Sequence, residues 1–265
     1  MSSIECNGVT TRYEISGPHS APVVIFSHSL GASLEMWRPQ LAELAESYRV
    51  LLYDTRGHGG SGLGSSSFST ETLGRDVLAL LDDLAIEQAH FCGLSMGGVI
   101  GQWLGVHAPE RLLSLVLANT AAKIGTAESW NGRIATVERD GLGAVIPGTL
   151  ERWFTAGFRS SHPETVAGIE AMLRKTDPAG YLACCAAIRD ADFRSMAHVT
   201  APGIAVPTLL IAGQHDPVTT PEDLRFLAEA IPRARYVELD AAHLSSVEAS
   251  HAFSNALLDF FAPLG

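Results

Sequence analysis

The chain has 265 residues, 46% of them apolar and 18% charged, with 29 acidic against 18 basic side chains and a formal net charge of −11. That length supports one large α/β domain with room for an insertion, and the balance of apolar and charged residues excludes long disorder. The acidic excess excludes nucleic acid and anionic membrane surfaces as partners, so any small anionic ligand must be drawn in by a local cation.

The opening MSSIECNGVT has no basic segment leading into an apolar one, and no apolar run approaches the roughly 20 residues of a membrane span, which predicts a cytoplasmic protein. Within it, Asn7-Gly8 separates two β-prone runs and predicts a type I′ hairpin. Short apolar runs at 22–28, 49–54, 89–93, 112–119, 206–213 and 234–240 read as buried parallel strands. Helical patterns lie between most of them. Residues 69–85 place Leu73, Val77, Leu80, Leu81 and Leu84 on one face, and 245–261 reads as a single closing helix. Residues 121–200 carry helical patterning and no strand, so they are expected to form a cap over the C-terminal edge of the sheet. The expected division is a core of 1–120 and 201–265 with a cap of 121–200. Cys6, Cys92, Cys184 and Cys185 lack metal-site spacing and are read as reduced thiols, with no metal and no cofactor expected.

The chemistry starts at FCGLSMGG, where Gly93-Leu94-Ser95-Met96-Gly97 follows a predicted strand and opens a predicted helix. Glycines flanking a serine there allow a tight turn that exposes the hydroxyl at a helix N-terminus. A serine nucleophile needs a base and the base an orienting acid; His243 and Asp216, each just past a predicted strand, supply them in the order Ser, Asp, His. Asp240 is the rival acid, three residues before His243, while Asn119, which closes the 112–119 strand run, cannot ionise. His215 is expected to point away. His28 is read as structural; the HSLG segment resembles the oxyanion loop of the α/β-hydrolase fold, where glycine is usual at the position of Ser29, and that resemblance implies Leu30 and Met96 as the backbone donors of an oxyanion hole. In YDTRGHGGSG, Asp54 and Arg56 are read as structural and His58 as exposed.

The order of the triad and the Asp-x-Arg-Gly loop resemble the α/β-hydrolase fold over nearly the whole chain. That resemblance implies a mostly parallel, doubly wound sheet opened by an antiparallel N-terminal hairpin, with a helical cap inserted after the sixth strand. Trp130 and Arg133 stand at i and i+3 and share a helix face. They form either a surface arginine stacked on a tryptophan or an indole wall beside a carboxylate-binding guanidinium. ANTAAKIGTAESWNGRIATVERDGL, ERWFTAGF and SHSLGASLEMW resemble the 3-oxoadipate enol-lactonases of bacterial aromatic degradation. The resemblance implies a small anionic lactone substrate, with Trp130, Arg133 and Trp153 lining its site. Lys123 and Arg152 are further candidate cations. A general carboxylesterase, a C–C bond hydrolase, or a slow ligand-binding receptor on the same scaffold are the alternatives.

Overall fold

A computed structural model of the chain describes residues 2–197 and 203–264, and the expected boundary at 200/201 lies outside the described residues. The elements run β1 (Ser2–Cys6), β2 (Val9–Ser16), β3 (Val23–Ser27), α1 (Arg38–Leu44), β4 (Arg49–Tyr53), α2 (Thr70–Asp83), β5 (Ala89–Leu94), α3 (Met96–His107) and β6 (Leu112–Ala118). Helices α4 (Ala127–Asp140), α5 (Ile146–Trp153), α6 (Ala156–Ser161), α7 (Pro163–Arg174) and α8 (Pro178–Asp190) follow without an intervening strand among the described residues. The chain then returns through β7 (Thr208–Gly213), α9 (Pro221–Ala230), β8 (Arg235–Leu239), α10 (Ser245–Glu248) and α11 (Ser250–Phe261). No helix among the described residues is long and apolar enough to cross a membrane.

One eight-stranded sheet has the order β1-β2-β4-β3-β5-β6-β7-β8. The β1/β2 hairpin closes with Cys6 opposite Val9, and Asn7 and Gly8 both take positive φ (47° and 75°), as a type I′ turn requires. β2 pairs antiparallel with β4, and every pairing from β4 to β8 is parallel. The interior strands are unbroken apolar runs because both faces are covered. Alternate residues supply two separate cores. Ile25, Leu51, Phe91, Leu115 and Leu210 pack with α2, α3 and α9, through Val77, Leu80, Ile100, Leu104 and Leu224. Val24, Phe26, Leu52, Val116 and Leu209 pack with Leu44, Phe253, Leu257 and Phe261 of α1 and α11. Each such side chain, fully buried, stabilises the fold by roughly 1.5 to 3 kcal/mol.

Strand order reverses between β3 and β5, since β4 lies on one side of β3 and β5 on the other. The crevice beyond their C-terminal ends is where an open α/β sheet binds ligand. The loop after β3 and the turn after β5 therefore converge on one place. The single closing helix expected over 245–261 is instead two, because Ala249 leaves the helical region (φ −120°, ψ 46°) between α10 and α11. Residues 245–248 turn separately and are tied to the loop before them.

Candidate active site

Ser95 occupies a strained turn, with φ 57° and ψ −111° between β5 and α3. The strain is held by its surroundings. The Ser95 amide donates to Ala118 O (3.0 Å), and Thr120 Oγ1 donates to Ser95 O (2.9 Å). A Cβ at Gly93 would lie 2.1 Å from Gly97 O, and one at Gly97 would lie 2.1 Å from Ser27 O, so only glycine fits at either position. The turn carries the Ser95 hydroxyl to the start of α3, where Met96 is the first helical residue and its amide one of the orphan donors of a helix N-terminus.

His243 sits in the loop after β8 with Nδ1 2.7 Å from Asp216 Oδ2. Asp216 lies in the loop after β7 and is 3% exposed, so its charge depends on hydrogen bonds. Val218 N (2.8 Å) and Thr219 N (3.1 Å) donate to Oδ1, while Thr219 Oγ1 (2.7 Å) and Asn119 Nδ2 (3.0 Å) donate to Oδ2. Burial pushes this carboxyl up, but the His243 charge and the hydrogen bonds from His243, Asn119 and Thr219 outweigh it, and the acid is held below its ordinary value. With Nδ1–H given to the carboxylate, His243 keeps Nε2 free to accept a proton. Ser95 and His243 line the same cavity, of about 50 Å³, and no direct hydrogen bond joins them. Catalytic contacts of this kind are commonly loose without substrate.

Asp240, the rival acid, is exposed and bound to His215 Nε2 (2.8 Å), while the His243 ring is paired with Asp216. Asn119 is the residue whose part the sequence did not disclose. Besides Asp216 it donates to Ala242 O (3.2 Å) and accepts from Ser245 Oγ, joining the acid to the His243 loop.

The expectation that His58 is exposed is wrong: it is 1% exposed. The 54–62 loop folds inward because Asp54 accepts from Leu34 N (2.7 Å), Gly60 N (2.8 Å) and Arg12 Nη1 (3.1 Å), while Arg56 makes a two-pronged pair with Asp76. His58 Nε2 then accepts from Gly31 N (2.9 Å) and its Nδ1 faces Arg56 O (3.3 Å). His28 stands beside it, with ring centroids 5.3 Å apart; its Nε2 accepts from Thr55 N (2.9 Å) and its Nδ1–H donates to Ser29 O (2.8 Å). Burial lowers His28 to about 4, and burial together with the His28 charge lowers His58 to about 3, so both rings are neutral near pH 7. The two neutral histidines thus grip the peptide groups on either side of Leu30. The Leu30 amide makes no hydrogen bond among the described residues, and Leu30 lines the cavity with Ser95.

The wall opposite is helical: Trp130 and Arg133 from α4, Thr149, Arg152 and Trp153 from α5, and Ile188 from α8. Trp130 donates through Nε1 to Ile124 O (2.7 Å). Arg133 is not stacked on Trp130, as the simpler reading had it. It lies 5.7 Å over the Tyr181 ring, and Nε donates to Tyr181 Oη (2.6 Å) while Nη2 donates to Thr149 Oγ1 (2.8 Å). Trp153 is both lining and core, buried and 6.4 Å from the His243 ring. Lys123 is excluded from the wall, its ammonium capped by Arg189 O (2.6 Å) and Ala191 O (2.8 Å). A larger open cleft of about 590 Å³ beside Arg12, Glu35 and Lys175 contains neither Ser95 nor His243.

The alpha/beta hydrolase fold family matches residues 22–250. A 3-oxoadipate enol-lactonase of Acinetobacter baylyi is 43% identical over 255 residues, covering 96% of this chain and 94% of its own. An enol-lactonase crystal structure from Burkholderia xenovorans superposes with a TM-score of 0.95 at 43% identity, covering 98% of this chain and 100% of that one. A Pseudomonas aeruginosa hydrolase superposes with a TM-score of 0.92 at 41% identity, covering 98% and 97% respectively.

Proposed function

This chain belongs to the α/β-hydrolase fold family and, within it, to the 3-oxoadipate enol-lactonases, and from that premise we propose that it opens 3-oxoadipate enol-lactone to 3-oxoadipate. The observation that carries the proposal is one pocket holding Ser95, His243 and two guanidiniums, Arg133 and Arg152. The substrate offers one electrophilic lactone carbonyl and one distal carboxylate, and the pocket has a group for each. The proposed setting is cytoplasmic, in bacterial aromatic degradation, with no cofactor. The proposed division is a catalytic core of 1–120 and 201–265 with a cap of 121–200 over the site.

In this mechanism Ser95 Oγ attacks the lactone carbonyl carbon as its proton passes to His243 Nε2, and Asp216 stabilises the imidazolium through Nδ1–H. The Leu30 and Met96 amides hold the oxyanion; one such donor is commonly worth about 10²- to 10³-fold in rate. Collapse breaks the ring C–O bond, and the departing enolate oxygen takes the proton from His243. The enol stays tethered to the acyl chain and could close again at high effective molarity, but ketonisation removes the nucleophile. Water, deprotonated by His243, then attacks the Ser95 ester and releases 3-oxoadipate. Trp130 and Trp153 wall the ring, and Arg133 and Arg152 together supply the positive charge that draws the carboxylate into a chain whose overall charge would repel it.

The test is steady-state turnover of the enol-lactone, followed by its ultraviolet absorbance, beside a neutral ester of similar length. Strong preference for the lactone is expected. Equal or reversed preference would leave a general carboxylesterase or C–C bond hydrolase, and the absence of multiple turnover would leave a ligand-binding receptor.

A further inference from the structure

Arg133 is already engaged: its Nε and Nη2 donors are spent on Tyr181 and Thr149. Arg152, one turn past Thr149 on α5 and lining the same pocket as Ser95, has no hydrogen bond or ion pair among the described residues. Its chain neighbour Glu151 is exposed and makes no ion pair with it. The guanidinium is half-buried, and burial together with the nearby Arg133 charge lowers its pKa. Two like charges at one wall, one of them with every donor unspent, form an arrangement that an incoming anion relieves. A cation kept only to complement the C-terminal dipole of α5 would do so equally well in solvent.

The backbone beneath Arg152 is fixed with respect to the triad. Leu244 N donates to Trp153 O (3.0 Å), and Thr155 donates through N (3.1 Å) and Oγ1 to Glu248 Oε1. Glu248 Oε2 accepts from Ala242 N (2.9 Å), next to His243. The end of α5 and the loop carrying the base are therefore one hydrogen-bonded unit. A carboxylate held by Arg152 is held at a set distance from Ser95 and His243.

We propose that Arg152 is the principal carboxylate anchor of this site, that Arg133 is a second cation positioned by Tyr181 and Thr149, and that the pair selects acyl compounds bearing a distal carboxylate over neutral esters. This rests on the enol-lactone reading for the natural substrate but not for the anion selectivity itself. The probes are 4-oxopentanoate and its uncharged amide, as inhibitors of neutral-ester hydrolysis by the wild type, Arg152→Gln and Arg152→Lys. In the wild type the carboxylate should inhibit at a concentration at least about tenfold below the amide. Arg152→Gln should weaken inhibition by the carboxylate at least about tenfold with little effect on the amide, and Arg152→Lys should restore part of it. On the enol-lactone itself, Arg152→Gln should act mainly through KM. Equal carboxylate inhibition in the wild type and Arg152→Gln would overturn the proposal, as would a Gln variant that loses carboxylate and amide inhibition alike. A wild type that ignores the enol-lactone yet shows Arg152-dependent carboxylate inhibition would overturn the substrate reading and support the anchor.

Discussion

Replacing His58 with glutamine should flatten the acid dependence of stability by close to one proton. In the folded protein burial holds His58 at about 3, whereas the unfolded chain takes up that proton near 6.5. Protonation therefore favours unfolding: the contribution of this ring is complete above about pH 6.5 and is lost as pH falls toward the folded value. Between pH 6 and 5 the unfolded chain carries close to one more proton at this position than the folded one, which removes about 1 kcal/mol of stability. Glutamine does not titrate, and its Oε1 can accept from Gly31 N as His58 Nε2 does. Urea unfolding followed by tryptophan fluorescence at pH 6.0 and 5.0 measures both slopes. The wild type should lose about 1 kcal/mol more than the variant over that interval. Equal losses would refute the conclusion that His58 is buried and neutral.

Ser95→Ala and His243→Ala should each lower turnover by at least about 10³-fold while leaving the fold intact, and Asp216→Asn should do nearly as much by misorienting the imidazole; kcat with circular dichroism checks all three. Gly97→Ala drives a Cβ to 2.1 Å from the Ser27 carbonyl on β3, so we expect a loss above about 4 kcal/mol, read as a collapse of soluble yield or Tm. Normal Tm in that variant would contradict the packing of α3 against β3. Asn119→Leu leaves the Ala242 carbonyl and Ser245 hydroxyl without their partner and strips one donor from the buried Asp216; denaturant unfolding should show about 1.5 to 3 kcal/mol of lost stability.

What could be read from the chain was what local sterics and periodicity dictate. Gly93-x-Ser95-x-Gly97 is readable because the close approaches to Gly97 O and Ser27 O admit no Cβ, and the strands because both faces of the sheet are covered. His58 was not readable: a histidine between glycines looks like a loop tip, and its burial depends on a hydrogen bond from Gly31 that no local pattern encodes. The part played by Asn119 was hidden for the same reason, since its partners come from β7 and β8 loops far along the chain. The break at Ala249 was missed because apolar spacing runs through it unchanged while the backbone leaves the helix. On α4, spacing placed Trp130 and Arg133 on one face, but only packing shows that Tyr181 of α8, and not Trp130, lies under the guanidinium.

The hydrogen bonds that join Trp153 to Leu244 and, through Glu248, Thr155 to Ala242 bear on how this protein can change. Helices inserted above a sheet invite exchange as a cassette, with a new set grafted from a relative to alter substrate choice. Here the graft would sever the Leu244–Trp153 bond and take Thr155 from the Glu248 carboxylate beside His243. A new specificity is therefore more accessible through single substitutions on the inner faces of α4 and α8, which leave that junction untouched, than through wholesale replacement. Divergence of substrate range in this lineage would have to travel the same route, residue by residue, with the α5 terminus and the His243 loop kept unchanged together.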